Sequence, residues 1–181
     1  MNNYLPLSVP SIKGNEWVYI KECLDTEWVS SAGKYVELFE KKISDYTGAK
    51  YAIACVNGTS ALQLSLRLAN VEHGDEVIVP TLTFIATVNA VSYNGATPVF
   101  MDADEYYNID VEKTFEFIKH DTVFKDGFSY NKTTEKRISA IVPVHVFGHA
   151  AWLDDLVQLC EERNISIVED AAESLGTRYI N

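Results

Sequence analysis

An α/β fold, a three-layer sandwich on a mainly parallel sheet, follows from three observations. From Lys50 onward, short β-branched apolar segments alternate with amphipathic helical ones. The apolar segments run without polar alternation, as parallel strands covered on both faces do. Their C-terminal ends carry hydroxyl, aromatic or acidic residues, the groups that face the ligand crevice of an open α/β sheet. The strand segments are Tyr51 to Val56, Glu76 to Val79, Thr97 to Met101, Ile138 to Val144 and Ile165 to Val168. Helical periodicity places helices at Thr59 to Leu68, Phe84 to Tyr93, Val111 to His120 and Trp152 to Arg163. A βαβα succession implies right-handed crossovers and helices on both sheet faces. Asp121 to Arg137 interrupts the rhythm, and its Lys125-Asp126-Gly127 and Asn131-Lys132-Thr133-Thr134 suggest a surface hairpin or loop.

Residues 1–50 form an N-terminal helical segment, and residues 51–181 the sheet-bearing part, expected to make one structural unit. The first helix runs over Asn15 to Asp25, with Trp17, Ile20 and Leu24 on one face. The second runs over Lys34 to Tyr46, with Val36, Phe39 and Ile43 on one face. Both stripes read as core contacts. Between them Thr26 to Gly33 places Ser30 and Ser31 beside Trp28, a ligand loop or a capped turn.

Composition narrows the function. At 181 residues and 47% hydrophobic, the chain has the size and apolar content of one globular domain. A net charge of -11 argues against nucleic acid and anionic membrane as partners, since both are bound through Lys/Arg patches. Cys23, Cys55 and Cys160 are odd in number, widely spaced and set in apolar patterns, so they read as reduced core residues. Zinc spacing, a signal-peptide pattern and an apolar run near the ~20 residues of a membrane span are all lacking, and a cytoplasmic location is expected.

Three strand ends carry the chemistry. Asn57-Gly58-Thr59-Ser60 turns from a strand into a helix, and amides with hydroxyls at a helix start can cradle a phosphate. Simple capping by Thr59 or Ser60 is the alternative. Phe84 opens the next helix, either as a plate for a flat ring or as a core residue. Asp170, in Glu169-Asp170-Ala171-Ala172-Glu173, ends the last strand, where it can pair with a cationic ring nitrogen or cap a following helix. Phosphate cradle, aromatic plate and carboxylate together match pyridoxal phosphate, whose protonated ring nitrogen pairs with an Asp. His145 reads as a buried, hydrogen-bonded strand-end residue or an acid/base. No metal site is expected.

At this point the chain resembles the DegT/DnrJ/EryC1/StrS sugar aminotransferases over nearly its whole length. The resemblance rests on Pro6-Leu7-Ser8-Val9-Pro10, Trp28 to Gly33, Asn57 to Leu62, Gly74 to Pro80, Pro143-Val144-His145 and Glu169 to Ala172. The stretches through Phe128, Lys136 and Val146-Phe147-Gly148, then Glu173 to Gly176, look most like the branch acting on UDP-linked 4-keto-6-deoxy amino sugars, of legionaminic acid or bacillosamine type. The resemblance implies the large domain of fold type I transferases, incomplete at the C-terminus, with the small C-terminal domain absent. By matching position, Gly58, Thr59 and Ser60 would hold the cofactor phosphate, Phe84 would stack on the pyridine, and Asp170 would meet its nitrogen. Glu173 stands where the family often has Gln or His near the ring hydroxyl, and Glu27 where many relatives have Gly. Trp28, Ser30, Ser31 and His145 would face substrate.

The same resemblance implies a 4-keto-6-deoxy nucleotide sugar as acceptor, glutamate as donor, a homodimer, and a place in cell-surface polysaccharide synthesis. It also implies a Schiff-base lysine shortly beyond the Asp-Ala-Ala motif. No lysine follows Lys136, so the chain alone is expected to be inactive. Two other readings remain: a dehydratase of the same family, with His in place of the lysine, and a truncated binding or interaction module.

Overall fold

The computed structural model describes residues 4–6 and 9–179; Leu7 and Ser8 of the first motif lie outside them. The chain divides into two units, Met1–Ala54 and Cys55–Asn181.

The first unit holds α1 (Glu16–Asp25) and α2 (Lys34–Thr47). Glu22 joins them, accepting from Tyr35 Oη at 2.6 Å and pairing with Lys34. Trp28 Nε1 donates to Ala32 O at 2.8 Å. Gly33 follows at φ 149°, where an added Cβ would lie 2.2 Å from that indole nitrogen, so only glycine fits. Glu27 takes φ 56°, the left-handed conformation in which glycine is favoured. The helix stripes do not form a core. Trp17, Ile20, Leu24 and Phe39 are exposed, Val36 and Ile43 are half-buried, and neither helix contains a buried residue. Two short helices have too little volume to bury their own apolar faces.

The expected strand over Tyr51 to Val56 is likewise absent. The segment has no ladder partner among the described residues, and Tyr51, Ile53 and Val56 face solvent. Apolar content favours a strand only where a neighbour supplies the hydrogen bonds.

The second unit is the sandwich. After α3 (Gly58–Leu68) come β1 (Glu76–Pro80), α4 (Ile85–Tyr93), β2 (Thr97–Met101) and α5 (Val111–Glu116). Then follow β3 (Thr122–Lys125), β4 (Phe128–Asn131), β5 (Arg137–Ile141), α6 (Asp154–Glu162) and β6 (Ser166–Ile167). The sheet order is β2-β1-β5-β4-β3, with β6 also pairing β5. β2, β1, β5 and β6 are parallel neighbours, and the β3–β4 hairpin joins antiparallel. The interrupted stretch is therefore a hairpin, as expected, and also part of the sheet. Asp126 and Gly127 both take positive φ, as a type I′ hairpin turn requires.

Two cores flank the sheet. Val77, Val79, Ala140 and Val142 meet Leu62 and Leu66 of α3 and Ala90 and Val91 of α4. Ile78, Ile138 and Ile141 meet Ile118 and the α6 residues Leu156, Leu159 and Cys160. β1 thus alternates its side chains between layers. β5 breaks strict alternation through the register shift opposite Glu76 and Val77, which puts Ile138 and Ile141 in one core.

Several boundaries differ from the periodicity. The α5 helix ends at Glu116 and widens into a π turn over Phe117–Asp121. β5 stops at Ile141: Val142 still donates to Ile78 O at 2.8 Å, but Pro143 has no N–H with which to continue. Of the three cysteines only Cys160 is a core residue; Cys23 is half-buried and Cys55 exposed, and all are unpaired thiols. Burial pushes the Cys160 thiol up to about 12. Iodoacetamide at pH 8 is therefore expected to alkylate Cys55 and spare Cys160 in the folded chain, read by peptide mass mapping. Modification of Cys160 at the Cys55 rate would mean that the α6 core is open.

Candidate active site

Parallel strands bring their C-terminal ends to one edge of the sheet, and the predicted residues of the second unit gather there. Phe84 follows the end of β1, His145 the end of β5, and Asp170 the end of β6. The orientation of α3 brings a fourth group to this edge. Its C-terminal end lies at the strand starts, where Ser166 Oγ donates to Ala69 O at 3.3 Å and Arg137 Nη2 to Asn70 O at 3.2 Å. An 11-residue helix is about 16 Å long, the reach of a five-residue strand. Gly58, Thr59 and Ser60 therefore stand toward the strand C-termini.

The start of α3 is capped by Asn57, whose Oδ1 accepts from Ser60 N at 2.9 Å. Capping by Thr59 or Ser60 is thereby replaced: among the described residues neither hydroxyl has a hydrogen-bond partner within the protein. An added Cβ at Gly58 would meet nothing within 4 Å, so this helix start opens on free space. The Thr59 and Ser60 hydroxyls, with the Gly58 and Thr59 amides that the Asn57 cap leaves free, make a cradle for an anion.

Phe84 occupies the cap position of α4 and is 77% exposed, which removes the core alternative. One turn on, the buried Thr87 donates its hydroxyl to Asp170 Oδ2 at 2.7 Å and lies 3.0 Å from Thr83 Oγ1. Sequence reasoning missed Thr87; a hydroxyl at i+3 from an exposed aromatic was the available signal. It ties Asp170 to the helix turn that begins with Phe84.

Asp170 is buried, with Oδ1 accepting from Ala172 N at 3.2 Å. Turns rather than a helix follow it, so it caps no helix among the described residues. Nor does it form an ion pair there. Its backbone is held on both sides, donating to Pro143 O at 2.9 Å and accepting from His145 N at 3.2 Å. A buried acid without a cation suits a cationic ring nitrogen.

His145 is buried. Its Nδ1 accepts from Ala151 N at 3.1 Å, which puts the proton of the neutral ring on Nε2, 2.7 Å from Glu169 Oε2. That hydrogen bond holds the Glu169 carboxyl below its usual range, against partial desolvation. Glu173 is exposed, and its Oε2 accepts from Phe147 N at 2.7 Å. Trp28, Ser30 and Ser31 belong to the first unit, where Trp28 is 58% exposed and both serines are exposed. No group of three or more His, Cys, Asp or Glu among the described residues could hold a metal ion, and no described helix is long and apolar enough to cross a membrane. A groove of about 590 Å³ lined by Phe115, Trp152 and Leu159, with Glu112, Asp155 and Glu162, contains none of the predicted site residues.

Comparison with known proteins gives concordant matches. The model of the DegT/DnrJ/EryC1/StrS aminotransferase family matches residues 10–181. GDP-perosamine synthase of Escherichia coli O157:H7 is 41% identical over 97% of this chain and 44% of that protein. The X-ray structure of an aminotransferase from Psychrobacter cryohalolentis superposes with TM-score 0.80 at 33% identity, over 96% of this chain and 41% of that one. A GDP-4-keto-6-deoxymannose-3-dehydratase holding a trapped PLP–glutamate geminal diamine superposes with TM-score 0.79 at 26% identity, over 98% of this chain and 44% of that one. The chain thus spans less than half the length of the relatives it matches.

Proposed function

The chain belongs to the DegT/DnrJ/EryC1/StrS aminotransferase family, and on that premise we propose that the full-length protein is a pyridoxal phosphate-dependent sugar aminotransferase. It converts a 4-keto-6-deoxy nucleotide sugar to the 4-amino sugar, with glutamate as donor. Asp170 carries this reading: a buried acid at a strand end, oriented by Thr87 and unpaired with any cation among the described residues, suits a protonated pyridine nitrogen. Gly58, Thr59 and Ser60 bind the phosphate, Phe84 covers the ring, and Glu173 lies near the ring hydroxyl. Trp28, Ser30, Ser31 and His145 serve the substrate. The bound cofactor supplies an electron sink for the substrate carbon. Asp170 keeps the ring nitrogen protonated, and the α3 start neutralises phosphate charge.

The catalytic lysine is assigned to none of the lysines present, from Lys13 to Lys136. Guanosine diphosphate is the nucleotide to test first, because the relative at 41% identity is a GDP-perosamine synthase, with the UDP-linked sugar as the second arm. We further propose a cytoplasmic location and a homodimer, the second reading supported by the solvent-facing stripes of α1 and α2.

The test has two parts. Full-length protein with glutamate and either 4-keto-6-deoxy nucleotide sugar is expected to yield an amino sugar by mass spectrometry. Loss of one oxygen from the sugar without nitrogen gain, with glutamate oxidised and ammonia released, would instead support the dehydratase, and no conversion would support a non-catalytic module. Borohydride reduction of the 181-residue chain with pyridoxal phosphate is expected to label no single lysine; one specifically labelled lysine would overturn the assignment.

A further inference from the structure

The turn after β5 is strained and held from outside. Phe147 takes φ 53° and ψ 23°, a left-handed conformation with a steric penalty for a bulky side chain. The residue is 72% exposed, so burial does not offset that penalty. Four hydrogen bonds from distant residues fix the turn. Asn108 accepts from Val146 N at 3.0 Å and donates to His149 O at 3.2 Å. Glu173 Oε2 accepts from Phe147 N itself, and Thr177 Oγ1 donates to Gly148 O at 2.8 Å. Val144 bridges to Asp170, so the turn stands on the same rim as that acid.

We propose that Glu173 is a positioning residue that latches this turn, and that the turn presents Phe147 to the hexose of a nucleotide sugar. The second clause rests on the function proposed above. A flexible loop would leave an exposed phenylalanine to many rotamers and backbone states; a latched one offers a fixed apolar face on which the C–H face of a pyranose can lie. The latch acts through the main chain, so glutamine, with the length of Glu173 and an acceptor oxygen, preserves it.

Two measurements separate the clauses. In the cofactor-free 181-residue chain, Glu173→Ala is expected to speed amide exchange at Phe147 by about 10-fold or more, whereas Glu173→Gln stays within about 3-fold of the native chain. Native protection in Glu173→Ala would overturn the latch, whatever the protein's activity. In the full-length enzyme, Phe147→Ala is expected to raise KM for the nucleotide sugar by about 10-fold while the Kd for pyridoxal phosphate holds. An unchanged KM, or a shift in cofactor affinity instead, would overturn the presentation of Phe147 to sugar. Failure of the native enzyme to aminate any sugar would sink the functional reading and that clause, leaving the exchange result to decide the latch.

Discussion

Asp170→Asn in the full-length protein is expected to weaken pyridoxal phosphate binding and slow turnover by about 10²- to 10³-fold. That is about 3–4 kcal/mol, in the lower part of the ~3–5 kcal/mol lost when one partner of a buried ion pair is removed. The amide has the shape of the acid: its oxygen can keep accepting from Ala172 N while its NH2 donates to the Thr87 hydroxyl, which is then free to donate to Thr83 Oγ1. It cannot supply the negative charge that keeps a ring nitrogen protonated. Absorbance titration with the cofactor and steady-state kinetics measure the effect. The same substitution in the 181-residue chain is expected to change unfolding free energy by less than about 1 kcal/mol, because no cation pairs with Asp170 among the described residues and its main-chain bonds to Pro143 and His145 remain. If urea unfolding showed a loss of several kcal/mol in the chain alone, Asp170 would be a structural acid.

How much of this was legible beforehand depends on which residues provide the neighbours. β1 was readable because Val77, Ile78 and Val79 are apolar on both faces and find helices on both sides. Tyr51 to Val56 has the same apolar character but no ladder partner, and a pattern of side chains does not reveal whether one is present. The stripes of α1 and α2 misled for a related reason: periodicity identifies the face a helix would bury, not whether anything covers it. Within the site, Phe84 and Asp170 could be placed on one edge because strand ends in parallel sheets converge, whereas the Gly58 turn follows no strand and reaches that edge through α3. Thr87, Asn57 and the Glu173 contact with Phe147 could not be read. Each depends on side-chain geometry between segments that sequence spacing leaves unspecified; Thr87 and Asp170 are 83 positions apart.

The chain's stability is expected to reside in the sheet, and Ile78→Ala tests that location with the largest loss. Ile78 has no exposed surface and lies mid-strand in β1, opposite Val99 of β2 on one side and Ile141 of β5 on the other. Its side chain sits in the core with Ile109, Ile118 and Leu156. Truncation removes methyl and methylene groups where both flanking strands are hydrogen-bonded in place, so the void cannot close by a shift of β1. A loss of about 2–5 kcal/mol follows, a large share of the ~5–15 kcal/mol typical of a domain. Ile78→Val, one methylene smaller, should lose about 0.5–1.5 kcal/mol. Ile20→Ala in α1 is the informative contrast, since Ile20 is 52% exposed and belongs to the stripe that periodicity marked as core. It should alter urea unfolding of the 181-residue chain by about 0.5 kcal/mol or less. A loss at Ile20 as large as that at Ile78 would mean that the α1 stripe is covered in solution, by a second copy or another part of the chain, and a concentration-dependent midpoint would distinguish the former.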